Sequence, residues 1–349
     1  MDRFEKVISD YLVPISNLGP QIEDSLYILH NDGSFVYSQG YYHPPGAIFG
    51  KVINYPFPGG SLNFFGRDYE SIAKPVEEGV RQSIANDFQA SEYIRLHPEL
   101  TEDARKNLIT DYHFKFPLND LKGYFDNRGS LKTAMAKRPQ LRGTIEELSD
   151  MFKFPIEDMG CTGSLVYGRL DDIDEDVDVV FYGTVKENRR VLDMVYELQK
   201  DPDHRIFEYG RYWPIRFIHN GTIICTFYNY IDWDEVPLPS GCGIKLVEEN
   251  VTATFEITNA DHSVYMPLVF KIKDCKVNGK EREIGYFYIY DSSIRGEYFE
   301  SEILEVKGKV INITRGKESF DIILTTIRHD IKKLREVPIF GDFGTTPTG

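Results

Sequence analysis

Short apolar runs separated by turn residues set the pattern of the chain up to about residue 120. SLYILH (25–30), SFVYSQ (34–39) and AIFGKVINY (47–55) predict strands, with NDG and HPPG marking the turns between them. YESIAKPVEEGVRQSIANDF (69–88) and LTEDARKNLITDYH (100–113) carry helical character. From near Asn127 the pattern lengthens. SLKTAMAKRPQLRGTIEELSDMF (130–152) predicts helix in two pieces, broken at Pro139 because proline cannot sit in a helix interior. ENRRVLDMVYELQK (187–200) aligns Val191, Leu192, Met194, Val195 and Leu198 on one helical stripe, and DPDH ends it. YWPIRFI (212–218) and GTIICTFYNYI (221–231) predict a hairpin joined by an HNG turn. From about 245 to 325 short apolar stretches alternate with NGK, RGE and RGKE, a spacing that suggests a small barrel or sandwich.

Length and composition refine this picture. At 349 residues the chain exceeds a usual single domain. The changes of pattern divide it into an N-terminal β-rich and helical region (1–125), a core (126–240), a C-terminal β domain (241–328) and a tail (329–349), whose last residues, from 336, predict poor order. Aromatic residues make up 13% of the chain, with 22 Tyr and 23 Phe, and favour a large share of strand. No apolar run approaches the roughly eighteen residues that a spanning helix needs. The opening MDRFEKVISDYLVPIS lacks a basic stretch followed by an apolar one, so no secretory signal is expected. Cys161, Cys225, Cys242 and Cys275 lie far apart without a CxxC pair, which suits free thiols in a reducing cytoplasm. The net charge of −15 disfavours broad binding to nucleic acid, which depends on Lys and Arg neutralising phosphates.

The candidate chemistry lies in GCTGSLVYGRLDDIDEDVDVVFYG (160–183). Asp171, Asp172, Asp174 and Glu175 have no regular apolar partners and predict a solvated loop. Asp176 and Asp178 alternate with Val177 and Val179 and lead into an apolar run, so both belong on one face at the head of a strand. Two carboxylates that close repel unless a cation or proton lies between them, and Mg²⁺ shared with phosphate oxygens is the usual resolution. Upstream, Thr162, Gly163 and Ser164 open a short helix able to offer amides and a hydroxyl to a phosphate.

These residues resemble the signature of the polymerase-β-type nucleotidyltransferase superfamily, Gly-Ser and a short helix followed by alternating Asp on a strand. The match is Gly163-Ser164 with Asp176-Val177-Asp178-Val179-Val180. Gly40-Tyr-Tyr-His43-Pro44-Pro45-Gly46, the Gly160–Ser164 stretch and the C-terminal β region look like a little-characterised group of predicted prokaryotic nucleotidyltransferases. The resemblance implies an α+β fold: a nucleotidyltransferase-type mixed sheet core with helices, flanked by an N-terminal β-rich region and a C-terminal barrel or sandwich. It implies transfer of a nucleoside monophosphate from an NTP to a hydroxyl acceptor, with two Mg²⁺ (or Mn²⁺) ions held by Asp176 and Asp178 and the β- and γ-phosphates held by Ser164 and the amides near Gly163. Arg189 and Arg190, on the following helix, could add positive charge. The superfamily commonly carries a third carboxylate on a later strand. Here that strand is best read as residues 221–227, without an acid; Cys225 or Thr226 takes the likely place, and Glu208, Asp232 and Asp234 are alternatives.

His43, held before two prolines, is either a structural turn residue or one that reaches the active cleft or acceptor. Lys271, Lys273, Lys276, Lys307 and Lys309 could line an oligonucleotide-binding barrel or could protect strand edges. On charge, a small-molecule acceptor is preferred to RNA, tRNA or a protein hydroxyl. A non-catalytic nucleotide-binding protein lacking the third carboxylate is the alternative from another class.

Overall fold

The computed structural model describes residues 2–338 apart from 73–75, 78–79, 82–85, 98–101, 106–107, 111–112, 171–175 and 209. The acidic loop at Asp171–Glu175 and most of the tail therefore lie outside the described residues. Helix α1 (Arg3–Ile8) starts on an Asp2 side chain that accepts from the Glu5 amide. A first sheet follows, made of β1 (Leu12–Pro14), β2 (Tyr27–His30), β3 (Phe35–Ser38), β4 (Ala47–Pro56), β5 (Leu62–Phe64) and β6 (Arg67–Ser71). After a small pairing of β7 (Val76–Glu77) with β8 (Val80–Arg81) come α2 (Asn86–Leu96) and α3 (Glu102–Arg105). The sheet is then completed by β9 (Phe114–Pro117), which pairs with β4, and β10 (Leu121–Phe125), inserted between β1 and β2.

The middle region opens with α4 (Asn127–Lys137) and α5 (Pro139–Phe152). Pro139 occupies the first turn of α5, where its missing N–H costs nothing, and the same proline prevents α4 from running on. A sheet follows: β11 (Met159–Cys161), β12 (Asp176–Gly183), then, after α6 (Val185–Leu198), β13 (Arg205–Glu208), β14 (Arg211–His219) and β15 (Thr222–Tyr230). Its order is β11-β12-β15-β14-β13. Thr184 and Glu187 form a reciprocal cap at the start of α6, and Val191, Leu192 and Val195 are its buried face. Asn220 and Gly221, both with positive φ (48° and 80°), make the tight turn between β14 and β15.

The C-terminal region is β16 (Gly243–His262), β17 (Leu268–Val277), β18 (Lys280–Glu281), β19 (Tyr286–Ile289), β20 (Ile303–Arg315), β21 (Glu318–Thr325) and β22 (Ile331–Arg335). β16 pairs with β17 and β20, β20 with β21, β21 with β19, and β19 with β17, which closes a ring. This ring encloses its own core, including Phe255, Phe270, Phe287 and Ile323. The first two regions instead share one core, in which Phe35 of β3 meets Tyr167 of the middle region at 4.6 Å between ring centroids.

The expected helix-containing α+β nucleotidyltransferase-type class is not what this chain adopts. Strand accounts for 44% and helix for 26%, and three sheets carry the architecture. Two particulars explain the correction. The stretch 69–88, read as helical, instead supplies the end of β6 together with β7 and β8, and helix begins only at Asn86. Tyr69 and Ser71 are drawn onto β4 by pairing, and Tyr69 is wholly buried against Phe4, Phe35 and Phe64, so tertiary packing overrides local preference. The short helix expected after Gly163-Ser164 is a 3-10 segment over Gly163–Tyr167, which contributes little helix.

Candidate functional site

The site grows from the register of β12. On one side β11 runs antiparallel, placing Cys161 opposite Val179, and the Thr162 amide donates to the Asp178 carbonyl at 3.1 Å. That continuation lays Gly163 directly on the Asp178 side chain. Gly163 has a φ of +62°, and a Cβ at this position would stand 1.8 Å from Asp178 Oδ2, so only glycine fits. On the other side β15 runs parallel, with Asp176 opposite Ile223 and Asp178 opposite Cys225. Side chains repeat faces every second residue, so Asp176, Asp178 and Cys225 converge. One ligand atom from each lies within 4.8 Å of the others; the two carboxylates are half-buried and Cys225 is buried.

β14 adds a residue that sequence reading missed. In the β14–β15 hairpin Arg216 stands opposite Cys225, and its Nε donates to Cys225 Sγ at 2.9 Å. Its Nη1 bonds Glu208 of β13, and the Arg216 side chain is 11% exposed. The hairpin itself carried the signal: pairing back from the Asn220-Gly221 turn places Arg216 beside Cys225. Burial, reinforced by the charge of Asp178 and opposed by Arg216, pushes the Cys225 thiol well above its ordinary range. Cys225 is therefore a neutral thiol at physiological pH.

Residues of the other two regions lie nearby. Burial foremost, with Asp178 among the neighbouring charges, raises the Tyr27 and Tyr37 hydroxyls of the first sheet above their usual range. Beyond Cys225 on the same strand, Phe227 packs near the Arg295 guanidinium, 5.6 Å from its ring centre. Arg295, from the segment after β19, pairs with Asp24 at 2.6 Å, and both side chains are 1% exposed. Asp24 also accepts from the Gly40 amide at 2.7 Å and the Ser25 hydroxyl at 2.9 Å.

Several residues expected at the site lie elsewhere. The Thr162 hydroxyl donates to the Ser25 carbonyl at 3.0 Å and is buried, while Ser164 is half-buried in the 3-10 turn. Arg189 and Arg190 follow the far end of β12, about 23 Å from Asp176 at the ordinary rise per strand residue. There Arg189 pairs with Asp193 at 2.8 Å, and Arg190 donates to the Phe152 and Lys153 carbonyls at the C-terminal end of α5. Thr226 faces the opposite side of the sheet from Cys225 and donates to the Ile215 carbonyl at 2.8 Å. Asp232 caps a 3-10 turn by accepting from the Asp234 amide. Glu208 approaches the cluster only through Arg216. His43 is buried, accepting from the Phe49 amide at 3.1 Å on Nδ1 and facing the Gly40 carbonyl at 3.1 Å with Nε2, so it is occupied in its own turn. Lys271, Lys273, Lys276 and Lys307 project from the barrel strands into solvent; Lys309 is half-buried.

The donor set tests the expected ion. Two carboxylates on one strand face suit a hard divalent cation such as Mg²⁺ or Mn²⁺, whose remaining positions go to water or phosphate oxygens. A neutral thiol is a poor third ligand for such an ion. Asp176 and Asp178 thus suit one hard cation, and the third member of the cluster is Cys225, with Arg216 behind it. No family model, curated protein or solved structure matches this chain.

Proposed function

We propose that the β11–β12–β15 site binds a nucleoside triphosphate together with a divalent cation held by Asp176 and Asp178. The observation that carries this is the register that brings both carboxylates and Cys225 within 4.8 Å, beneath a turn in which Gly163 alone can lie on Asp178. Its resemblance to the nucleotidyltransferase signature supports the choice of ligand. The cation would be Mg²⁺ or Mn²⁺ and would neutralise triphosphate charge. Asp176 and Asp178 would position it, and backbone amides of the turn at Gly163, next to Asp178, would meet the β- and γ-phosphate oxygens.

Nucleotidyl transfer is the second reading, and Arg216 favours it by placing a fixed positive charge beside the carboxylates. In that reaction an acceptor hydroxyl forms a bond to the α-phosphorus, the bond to the β-phosphate oxygen breaks, and pyrophosphate leaves while the hydroxyl proton passes to solvent. With a chain this acidic, the favoured acceptor is a small molecule rather than RNA. Four buried free cysteines suit action in the reducing cytoplasm. No helix among the described residues is long and apolar enough to cross a membrane.

Fluorescent ATP, GTP, CTP and UTP analogues, titrated with Mg²⁺, Mn²⁺ or EDTA, test the binding. At least one should bind only with the cation, and D176N, D178N and G163A should each weaken binding by roughly tenfold or more while the circular dichroism spectrum is kept. Binding unaffected by EDTA and by these substitutions would sink the proposal. Transfer of α-phosphate label in the presence of a cell extract, lost in D178N, decides the second reading.

A further inference from the structure

We infer that this site takes a single divalent ion per nucleotide and that Arg216 supplies the second positive charge. The inference rests on the triphosphate reading above and adds the number of ions and the residue that replaces one. Three observations converge. The third ligand position is a buried sulfur, Cys225 Sγ, and a soft sulfur ligand offers a hard cation little. The Arg216 guanidinium lies 2.9 Å from that sulfur, fixed there by the pairing of Arg216 with Cys225. Glu208 holds the other side of the guanidinium, and with 11% exposure the side chain has little room to swing away.

A second cation beside Cys225 would therefore meet a permanent positive charge at close range in a partly buried setting, where like charges repel more strongly than in water. The same charge is useful to an anion. Among the described residues the Arg216 Nη2 makes no hydrogen bond, so it can donate to a phosphate oxygen of a nucleotide that Asp176 and Asp178 hold through the first ion. Arginine suits the task better than lysine, because its planar fork bonds the protein and a phosphate at once. Arg216 is here a ligand-positioning residue.

The number of ions is measured by equilibrium dialysis of the full chain with Mn²⁺ and a non-hydrolysable ATP analogue, read by elemental analysis and by electron paramagnetic resonance. Wild type should retain one Mn²⁺ per bound nucleotide, without the magnetic coupling of a close ion pair. The R216Q/C225D double variant should gain a second, coupled ion. R216Q alone should weaken nucleotide binding about tenfold, and R216K should recover part of it. Two coupled ions per nucleotide in wild type would overturn the inference, even if the variants fail to fold. So would unchanged affinity in R216Q. If no analogue binds at all, the triphosphate reading itself fails, which separates the two outcomes.

Discussion

Two arginines, the buried Arg295 and the half-buried Arg216, stand near the same strand face and are held in different ways. Arg295 and Asp24 are both 1% exposed, and Asp24 completes its bonding with the Gly40 amide and the Ser25 hydroxyl. This pair ties the segment before β2 to the segment after β19, and its charges are spent on each other. Arg216 faces a neutral thiol on one side and Glu208, with a side chain 34% exposed, on the other. Its ion-pair partner reaches water, and the guanidinium lies near the Asp178 carboxylate as well. The contrast shows what burial of a charge can serve: a pair sealed from water makes a structural joint, whereas an arginine whose partner reaches water and whose Nη2 bonds no described residue keeps a donor for a ligand.

Substitution should separate the two roles. R295A leaves Asp24 buried without its partner and should cost about 3–5 kcal/mol in urea unfolding. The D24L/R295M double variant should lose less, since a well-packed apolar pair needs no compensation. A loss near zero in R295A would mean that the joint is not formed in solution. R216Q should cost about 1 kcal/mol, because its partner Glu208 can reach water. A loss in R216Q as large as that in R295A would erase the distinction.

Buried groups without an ion-pair partner extend the comparison to pH. Burial pushes the His43 and His262 imidazoles down to about 4. An unfolded histidine takes a proton near pH 6.5, so these two contribute full stability above that pH and lose it as the pH falls towards 4. Each should steepen the loss by up to about 1.4 kcal/mol per pH unit in that window. Urea midpoints measured at pH 7, 6 and 5 should fall for wild type and fall less for H43Q. An equal fall in both would place His43 outside this effect.

The sequence revealed its strands wherever an apolar run ended in a turn residue. The runs at 25–30 and 34–39 contain β2 and β3, the run at 47–55 covers all of β4 but its last residue, and the hairpin around Asn220-Gly221 is β14 and β15. Alternation alone put Asp176 and Asp178 on one face, because strand periodicity is local. What was not local was not legible. The helical reading of 69–88 failed because pairing with β4 and burial of Tyr69 decide that segment. Arg189 and Arg190 follow the strand in sequence, but the length of β12 carries them to the far end of the sheet. The parallel pairing of β12 with β15, which selects Cys225 over Thr226, cannot be read from either strand alone. The mostly β class followed from how many short strands find partners, which composition only hinted at.

The most direct test of the account is a crystal structure of the chain with Mn²⁺ and a non-hydrolysable ATP analogue, using the anomalous signal of the metal. The account predicts one anomalous peak between the Asp176 and Asp178 carboxylates, with triphosphate oxygens completing its coordination beneath Gly163. Anomalous density absent from that position, or a nucleotide bound away from these carboxylates, would contradict it.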